Sequence, residues 1–448
     1  MSTAPAQHRK MSPAHKSPKR PRRGSNHYSP LRDAEHFMLP TYKRQPILFT
    51  HGRGCYVFDS RGKKYLDFLG GIAVNALGHA HPRIVKTIRR ESARAIHFSN
   101  LFHHPFQGPL ARKLASWSGM DRVFFSNSGT EAIDGAIKLA RLCARTESDT
   151  LGVPARKHRI LAFTNSFHGR TYGAVSATST EKYRLPFAPL VPGIDFVRFN
   201  DLDDLEAKFD DTVCAILLET IQGEGGIYPV TENFWNAARA LTSKNGALLI
   251  ADEIQCGLGR TGRYFAYQKF ASKPDIVLVA KPLAAGLPLG AILTSQAVAD
   301  KVSPGLHGTT FGGGPLACAT ALEFLKIVDD ENLLANVRAR GEELRDGLAA
   351  LAGKFPFIRE IRGEGLMIGI ELSIDGAPFV QQALQRGLLI NCTHEFTLRL
   401  LPPFIVTRAQ VRQFLRQFET ILLTTPQKAA AQPAKPAAPP RAVLAASR

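Results

Sequence analysis

Asp252 and Lys281 each close an apolar run, and together they offer the first chemistry in the chain. Ala247 to Ala251 is uninterrupted and leads through Asp252 into the glycine-rich GLGRTG; Ile276 to Ala280 repeats the design and ends in Lys281. Runs of this kind mark strands buried on both faces. Open α/β sheets bind ligands at the carboxyl ends of their strands, so a carboxylate and an amine far apart in sequence would meet there. Burial disfavours the ammonium form of lysine and leaves an amine able to attack an aldehyde. Pyridoxal phosphate is the aldehyde that fits, since a lysine holds it covalently and a carboxylate keeps its ring nitrogen protonated. Two strands that merely end in solvent would present the same pair.

Further polar groups follow other short apolar runs. In VFFSNSGTEAIDGAIKLARLCAR (123–145), Val123 to Phe125 reads as a strand and Ser128 with Glu131 as a capping box. Ala132, Ile133, Ala136, Ile137 and Ala140 then share one helical face. A flexible glycine, Gly129, just ahead of that helix leaves unpaired N–H groups that suit a phosphate, and an ordinary helix cap has the same form. Between 159 and 179 a strand runs into Phe167, His168, Gly169 and Arg170. These offer an aromatic to stack on a ring and a guanidinium to fork onto a carboxylate, or else a core phenylalanine and a surface arginine. VCAILLE (213–219) ends in Glu219 and leads to Gln222, Gly223 and Glu224. HGTTFGGGP (307–315) sets Thr309 and Thr310 before three glycines and a helix with Pro315 in its first turn, a second anion site or a hinge. Arg399 lies inside the apolar LRLLP (398–402), where burial calls for an acidic partner or an anionic ligand.

The elements that must position these groups alternate between apolar strands and amphipathic helices, the pattern of an α/β fold with a mostly parallel sheet. CYVFDSRGKKYLDFL (55–69) reads as a hairpin turning at Ser60, Arg61 and Gly62; LLIN (388–391) and LRLLP read as short strands near the end. With 448 residues and 44% hydrophobic content the chain can hold two or three domains. No apolar run approaches membrane-spanning length. The six cysteines are scattered without CxxC spacing, which predicts a reducing, cytoplasmic setting without structural disulfide or metal. The net charge of +19 is concentrated at the ends: eight cations precede Asp33 and four follow position 425 without an acid. Segments 1–30 and 425–448, rich in Pro, Ala, Ser or Lys, are expected to be disordered. Such tails also admit a nucleic-acid or anionic-surface binder, or a transit peptide, but a nucleic-acid protein leaves Lys281 and Asp252 unexplained, so nucleic acid is not the expected partner.

Over residues 36 to 424 the chain resembles the class III, fold-type I pyridoxal-phosphate aminotransferases. The resemblance rests on LDFLGGIAVNALGHAHP, NSGTEAIDGAIKLAR, NSFHGRT, ETIQGEGGI, IADEIQCGLGRTG, AKPLAAGLPLGA, HGTTFGGGPLACA and LRLLPP, in family order. It implies a large domain (76–320) around a mostly parallel sheet and a smaller α+β domain drawn from both chain ends (31–75 and 321–424). It implies that Lys281 carries the pyridoxal phosphate and the proton, that Asp252 pairs with the ring nitrogen, and that Gln255 touches the ring hydroxyl. Gly129 and Thr130 would cradle the phosphate, Phe167 would stack on the ring, and Thr310 from the other subunit of a homodimer would complete the phosphate site, with Thr309 near the substrate. Arg170 would hold the α-carboxylate of an acyl-ornithine and Arg399 a carboxylate of glutamate or 2-oxoglutarate, with Glu224 as its switchable ion-pair partner. The implied reaction moves the δ-amino group of N2-acetylornithine to 2-oxoglutarate. Succinylornithine, succinyldiaminopimelate, ornithine or 4-aminobutyrate as substrate, or an aminomutase, are the alternatives. Thr220, Gly314 and Asp134 depart from the family's usual proline, asparagine and glutamate.

Overall fold

Burial of both faces of a central sheet organises the chain in this computed structural model, which describes residues 29–425. The disorder expected for 1–30 and 425–448 falls almost wholly outside those residues. The chain divides into two compact units at Leu48/Phe49. In the first, the helix Pro30–Phe37 has proline in its first turn, closes with the Met38 N–H on the Ala34 carbonyl at 3.2 Å, and buries none of its side chains.

The second unit contains every strand among the described residues: β1 (Phe49–Arg53), β2 (Tyr56–Asp59), β3 (Lys64–Asp67), β4 (Arg122–Ser126), β5 (Arg159–Phe163), β6 (Ile194–Val197), β7 (Val213–Glu219), β8 (Ile221–Gln222), β9 (Tyr228–Pro229), β10 (Leu248–Asp252), β11 (Ile276–Val279), β12 (Gly290–Thr294), β13 (Ile358–Glu364), β14 (Met367–Leu372), β15 (Leu388–Leu389), β16 (Asn391–Thr393) and β17 (Thr397–Leu400). Seven of them form the central sheet in the order β4-β12-β11-β10-β7-β5-β6, in which only β12 runs against its neighbours. Successive residues of β10 and β11 enter opposite clusters, Leu249, Ala251, Val277 and Val279 on one side and Ile250, Ile276 and Leu278 on the other. The runs are continuous because each face of the sheet has its own core. β10 and β11 are parallel neighbours with Asp252 opposite Leu278, so Asp252 and Lys281 leave the same edge.

β2 and β3 form the expected hairpin: Gly62 takes φ +80°, and Asp59 Oδ1 accepts the N–H groups of Arg61 and Lys63 at 2.9 Å each. β15 pairs in parallel with β3, so strands from both ends of the unit share one sheet. LLIN is not one strand. Leu388 and Leu389 join β3, whereas Asn391 starts β16 in the sheet β13-β14-β17-β16, because the chain crosses between two sheets at Ile390.

Candidate active site

A cavity of about 400 Å³ opens at the carboxyl edge of the central sheet and is lined by seven of the expected site residues: Gly129, Thr130, Phe167, Arg170, Asp252, Gln255 and Lys281. Lys281 follows β11 with φ +34°, a conformation that a side-chain-bearing residue adopts only under constraint. Burial lowers its pKa; Asp252 and Glu224 act against that, and the Arg399 guanidinium adds to it. A lysine so placed gives up its proton more readily than one in water.

Asp252 is 4% exposed. Its Oδ2 takes His168 Nδ1 at 2.8 Å and its Oδ1 the Ile254 N–H at 3.0 Å. His168 is fully buried and its Nε2 has no partner, so with Asp252 as a carboxylate the histidine donates from Nδ1. Sequence reading placed His168 beside the site without a role, for nothing in its spacing ties it to a residue 84 positions away. One strand over, Glu219 sits level with Asp252 and receives the N–H groups of Phe167 at 3.0 Å and Gly223 at 2.8 Å, stapling two site loops together. Burial pushes its carboxyl up to about 7, with Asp252 adding to the rise and His168 opposing it.

The helix Gly129–Cys143 starts at the cavity, and the apolar face read from its sequence is buried throughout. Ser128 caps it by accepting the Glu131 N–H at 3.3 Å, but Glu131 returns to the N–H of Asn127 at 2.7 Å, one residue before the cap. The Thr130 hydroxyl is committed: it accepts the N–H groups of Arg170 and Thr171 at 3.1 and 3.0 Å and shares a hydrogen bond with the Thr171 hydroxyl at 2.7 Å. What Gly129 and Thr130 hold out to an anion is therefore backbone N–H at a positive helix end. Phe167 lines the cavity with Ile254, and the exposed Arg170 stacks on Tyr183 at 3.6 Å from the ring centre. Neither Ile254 nor Tyr183 was marked by the sequence reading.

Arg399 is fully buried. Nη1 donates to Glu224 Oε1 at 2.6 Å, to the Gly223 carbonyl at 3.1 Å and to Gln255 Oε1 at 3.1 Å; Nε donates to Asn391 at 3.2 Å; Nη2 has no partner. Gln255 thus links the cavity to the arginine. The two threonines of the 307–314 loop lie elsewhere. Thr309 accepts from Asn127 Nδ2 at 3.1 Å and lines a separate cavity, and Thr310 is exposed.

The set fits pyridoxal phosphate. An amine, a buried carboxylate on a histidine, an aromatic wall and a helix start with free N–H groups surround one space, which answers each part of that molecule. Residues 38–422 match the profile of the family described as Aminotransferase class-III. The acetylornithine aminotransferase of Caldanaerobacter subterraneus subsp. tengcongensis is 44% identical over 389 residues, covering 86% of this chain and 97% of that protein. That of Methanocaldococcus jannaschii is 42% identical over 385 residues, covering 86% and 96%. Among solved structures, the ornithine aminotransferase from Toxoplasma gondii superposes with a TM-score of 0.83 at 35% identity, covering 88% of this chain and 94% of that one. The N-acetylornithine aminotransferase from Stenotrophomonas maltophilia gives 0.74 at 34%, covering 85% and 97%.

Proposed function

The chain belongs to the class-III aminotransferases, and from that premise we propose that it moves the δ-amino group of N2-acetylornithine to 2-oxoglutarate in arginine biosynthesis. The products are N-acetylglutamate semialdehyde and glutamate. When bound, pyridoxal phosphate supplies the aldehyde that receives the amino group and the ring that takes up the electron pair released at carbon. Lys281 would hold it and, as a free amine, would take the proton from the amine-bearing carbon of the substrate. Asp252, oriented by His168, would hold the proton at the ring nitrogen, with Gln255 on the side of the ring hydroxyl. The N–H groups of Gly129 and Thr130 would receive the phosphate, and Phe167 and Ile254 would wall the ring.

The observation that carries the reading is Arg399, buried with Nη2 unpartnered and Nη1 shared with Glu224. Two substrates with different numbers of carboxylates use one pocket. When the acylated diamine is bound, its α-carboxylate lies on Arg170 and Glu224 neutralises Arg399; when the diacid is bound, Glu224 yields and the second carboxylate takes Nη1 and Nη2. Arg399→Ala is expected to slow the oxo-acid half-reaction by about 10- to 150-fold, the cost of a lost charge-assisted bond, and to spare the diamine half-reaction. Stopped-flow measurement of each half-reaction decides this, and equal loss in both would make the arginine structural. Initial rates with N2-acetylornithine, N2-succinylornithine, ornithine and 4-aminobutyrate, with and without 2-oxoglutarate, test the substrate and separate an aminomutase.

The same proposal includes a homodimer. Ile96, Phe98, Leu101, Phe102 and Phe311 are large, apolar and exposed. Asn100 ties their segment to the carbonyls of Thr309 at 3.0 Å and Gly312 at 3.1 Å, and His97 meets the Phe311 ring at 5.4 Å. An apolar surface beside the exposed Thr310 suits a second copy whose phosphate site Thr310 completes. We also read residues 76–320 as the large domain, with 31–75 and 321–424 as the smaller one, and place the enzyme in the cytoplasm on its scattered cysteines. No helix among the described residues is long and apolar enough to cross a membrane.

A further inference from the structure

The backbone around Glu224 is fastened to one face of the sheet β13-β14-β17-β16. Cross-strand register sets Arg362, Gly369, Arg399 and Asn391 in one row and Glu360, Glu371, Thr397 and Thr393 in the next. The rows are two residues apart, so their side chains share a face. Thr393 donates its hydroxyl to the Glu224 carbonyl. Arg362 Nε donates to the Gly226 carbonyl at 2.6 Å, and its guanidinium lies 3.7 Å from the Tyr228 ring centre. Arg362 is itself fixed by Glu360 at 2.9 Å, by Thr397 at 3.1 Å and by Glu371. Gly369 lets the loop lie against the sheet, since a Cβ there would come within 2.9 Å of Ile227 Cβ. From the other side Glu219 takes the Gly223 N–H, and the Gln222 carbonyl takes the Ile227 N–H at 3.0 Å. Anchors therefore hold the backbone through 222–227, while the Glu224 side chain is still 36% exposed and able to swing.

We propose that this sheet face is the positioning device of the Glu224 switch, and that Thr393 is a specificity-determining residue because it sets how firmly Glu224 competes for Arg399 when no second carboxylate is present. The proposal rests on the switch reading given above. A backbone fixed on both sides leaves the side chain as the only moving part, so the Glu224–Arg399 pair re-forms at once when the diacid leaves. Loosening the anchor weakens the competitor rather than the catalyst.

The test uses the holoenzyme with N2-acetylornithine, glutamate and 2-oxoglutarate, each half-reaction being followed separately. Thr393→Val replaces the hydroxyl with a methyl group. The KM for 2-oxoglutarate should fall about two- to tenfold, the range of one neutral hydrogen bond, and preference for glutamate over N2-acetylornithine as amino donor should rise by a similar factor. The kcat of the diamine half-reaction should not change. Thr393→Ser should restore the original values, and Gly369→Ala, which pushes Ile227 away from the sheet, should move both quantities as Thr393→Val does. In a Glu224→Gln background Thr393→Val should have no further effect, since the ion pair it positions is gone. A uniform fall of kcat in both half-reactions, an unchanged KM, failure of serine to rescue, or additive effects with Glu224→Gln would each overturn the proposal while leaving the switch standing. If Glu224→Gln alone leaves donor preference unaltered, the switch reading falls and this proposal with it.

Discussion

At the scale of single residues, burying a carboxylate costs free energy unless donors surround it, and the two acids that end β10 and begin the next loop meet that demand differently. Asp252 faces the cavity with His168 and the Ile254 N–H as donors. Asp252→Asn keeps the shape but cannot hold a proton on the ring nitrogen, so it should retain pyridoxal phosphate and lose rate by on the order of 100-fold or more in single turnovers. Lys281→Ala should lose both the visible absorption of the lysine-bound cofactor and turnover. Glu253 faces away, into a shell made by the N–H groups of Ala266 and Tyr267 at 2.9 Å each and the Thr220 hydroxyl at 2.7 Å. Burial lifts its carboxyl from 4.5 to about 7. A carboxyl with a raised folded pKa binds its extra proton in the fold, so its contribution is present below the unfolded value and is lost as pH climbs to about 7. Thr220, donating to the ionised form, offsets part of that loss. Thr220→Val should therefore cost about 1.5–3 kcal/mol above pH 8 and clearly less at pH 5, read by urea unfolding of the apo-protein at both values.

At the scale of elements, the helix Gly129–Cys143 starts at the cavity, and Gly129 has no room for a side chain: a Cβ there would lie 2.8 Å from Ile254 Cδ1. Ile254 lines the cavity, so Gly129→Ala should push it into the space of the cofactor. The expected result is about tenfold weaker pyridoxal phosphate binding by equilibrium titration, with little change in unfolding temperature. This helix and the strands β10 and β11 were legible in the sequence because a face or a run of apolar residues is a local signal. The pairing of Asp252 with His168 was not, since it depends on two strand ends meeting in space. Nor was the split of LLIN, because a continuous apolar run carries no mark of where a strand leaves one sheet for another. Glu219 was read as one of several acids at the edge of the sheet, and only the fold identifies it as the staple between the Phe167 and Gly223 loops. The pairing of Glu224 with Arg399 was legible through the resemblance alone; spacing by itself left Arg399 between a structural and a ligand-binding reading.

At the scale of the whole molecule, the question is whether one chain makes one site. Within a single chain the cavity holds Lys281 and Asp252, yet Thr310 faces outward beside the exposed Phe311. If Thr310 completes the phosphate site of a second copy, each site of a two-fold dimer takes its lysine from one subunit and its threonine from the other. Complementation then has a definite arithmetic. Lys281→Ala chains alone should be inactive, and Thr310→Asp chains alone nearly so, because a carboxylate beside the phosphate repels it. A heterodimer of the two puts both defects into one site and leaves the other with an intact Lys281 and an intact Thr310. Random assortment of equal amounts makes half the dimers mixed, each with one working site, so activity should recover to about a quarter of the original. Co-expression with two affinity tags isolates the mixed species, which should show about half the original turnover and half the bound cofactor absorption. Were Lys281 and Thr310 to serve the same site from one chain, every site in the mixture would carry one defect and no recovery would occur.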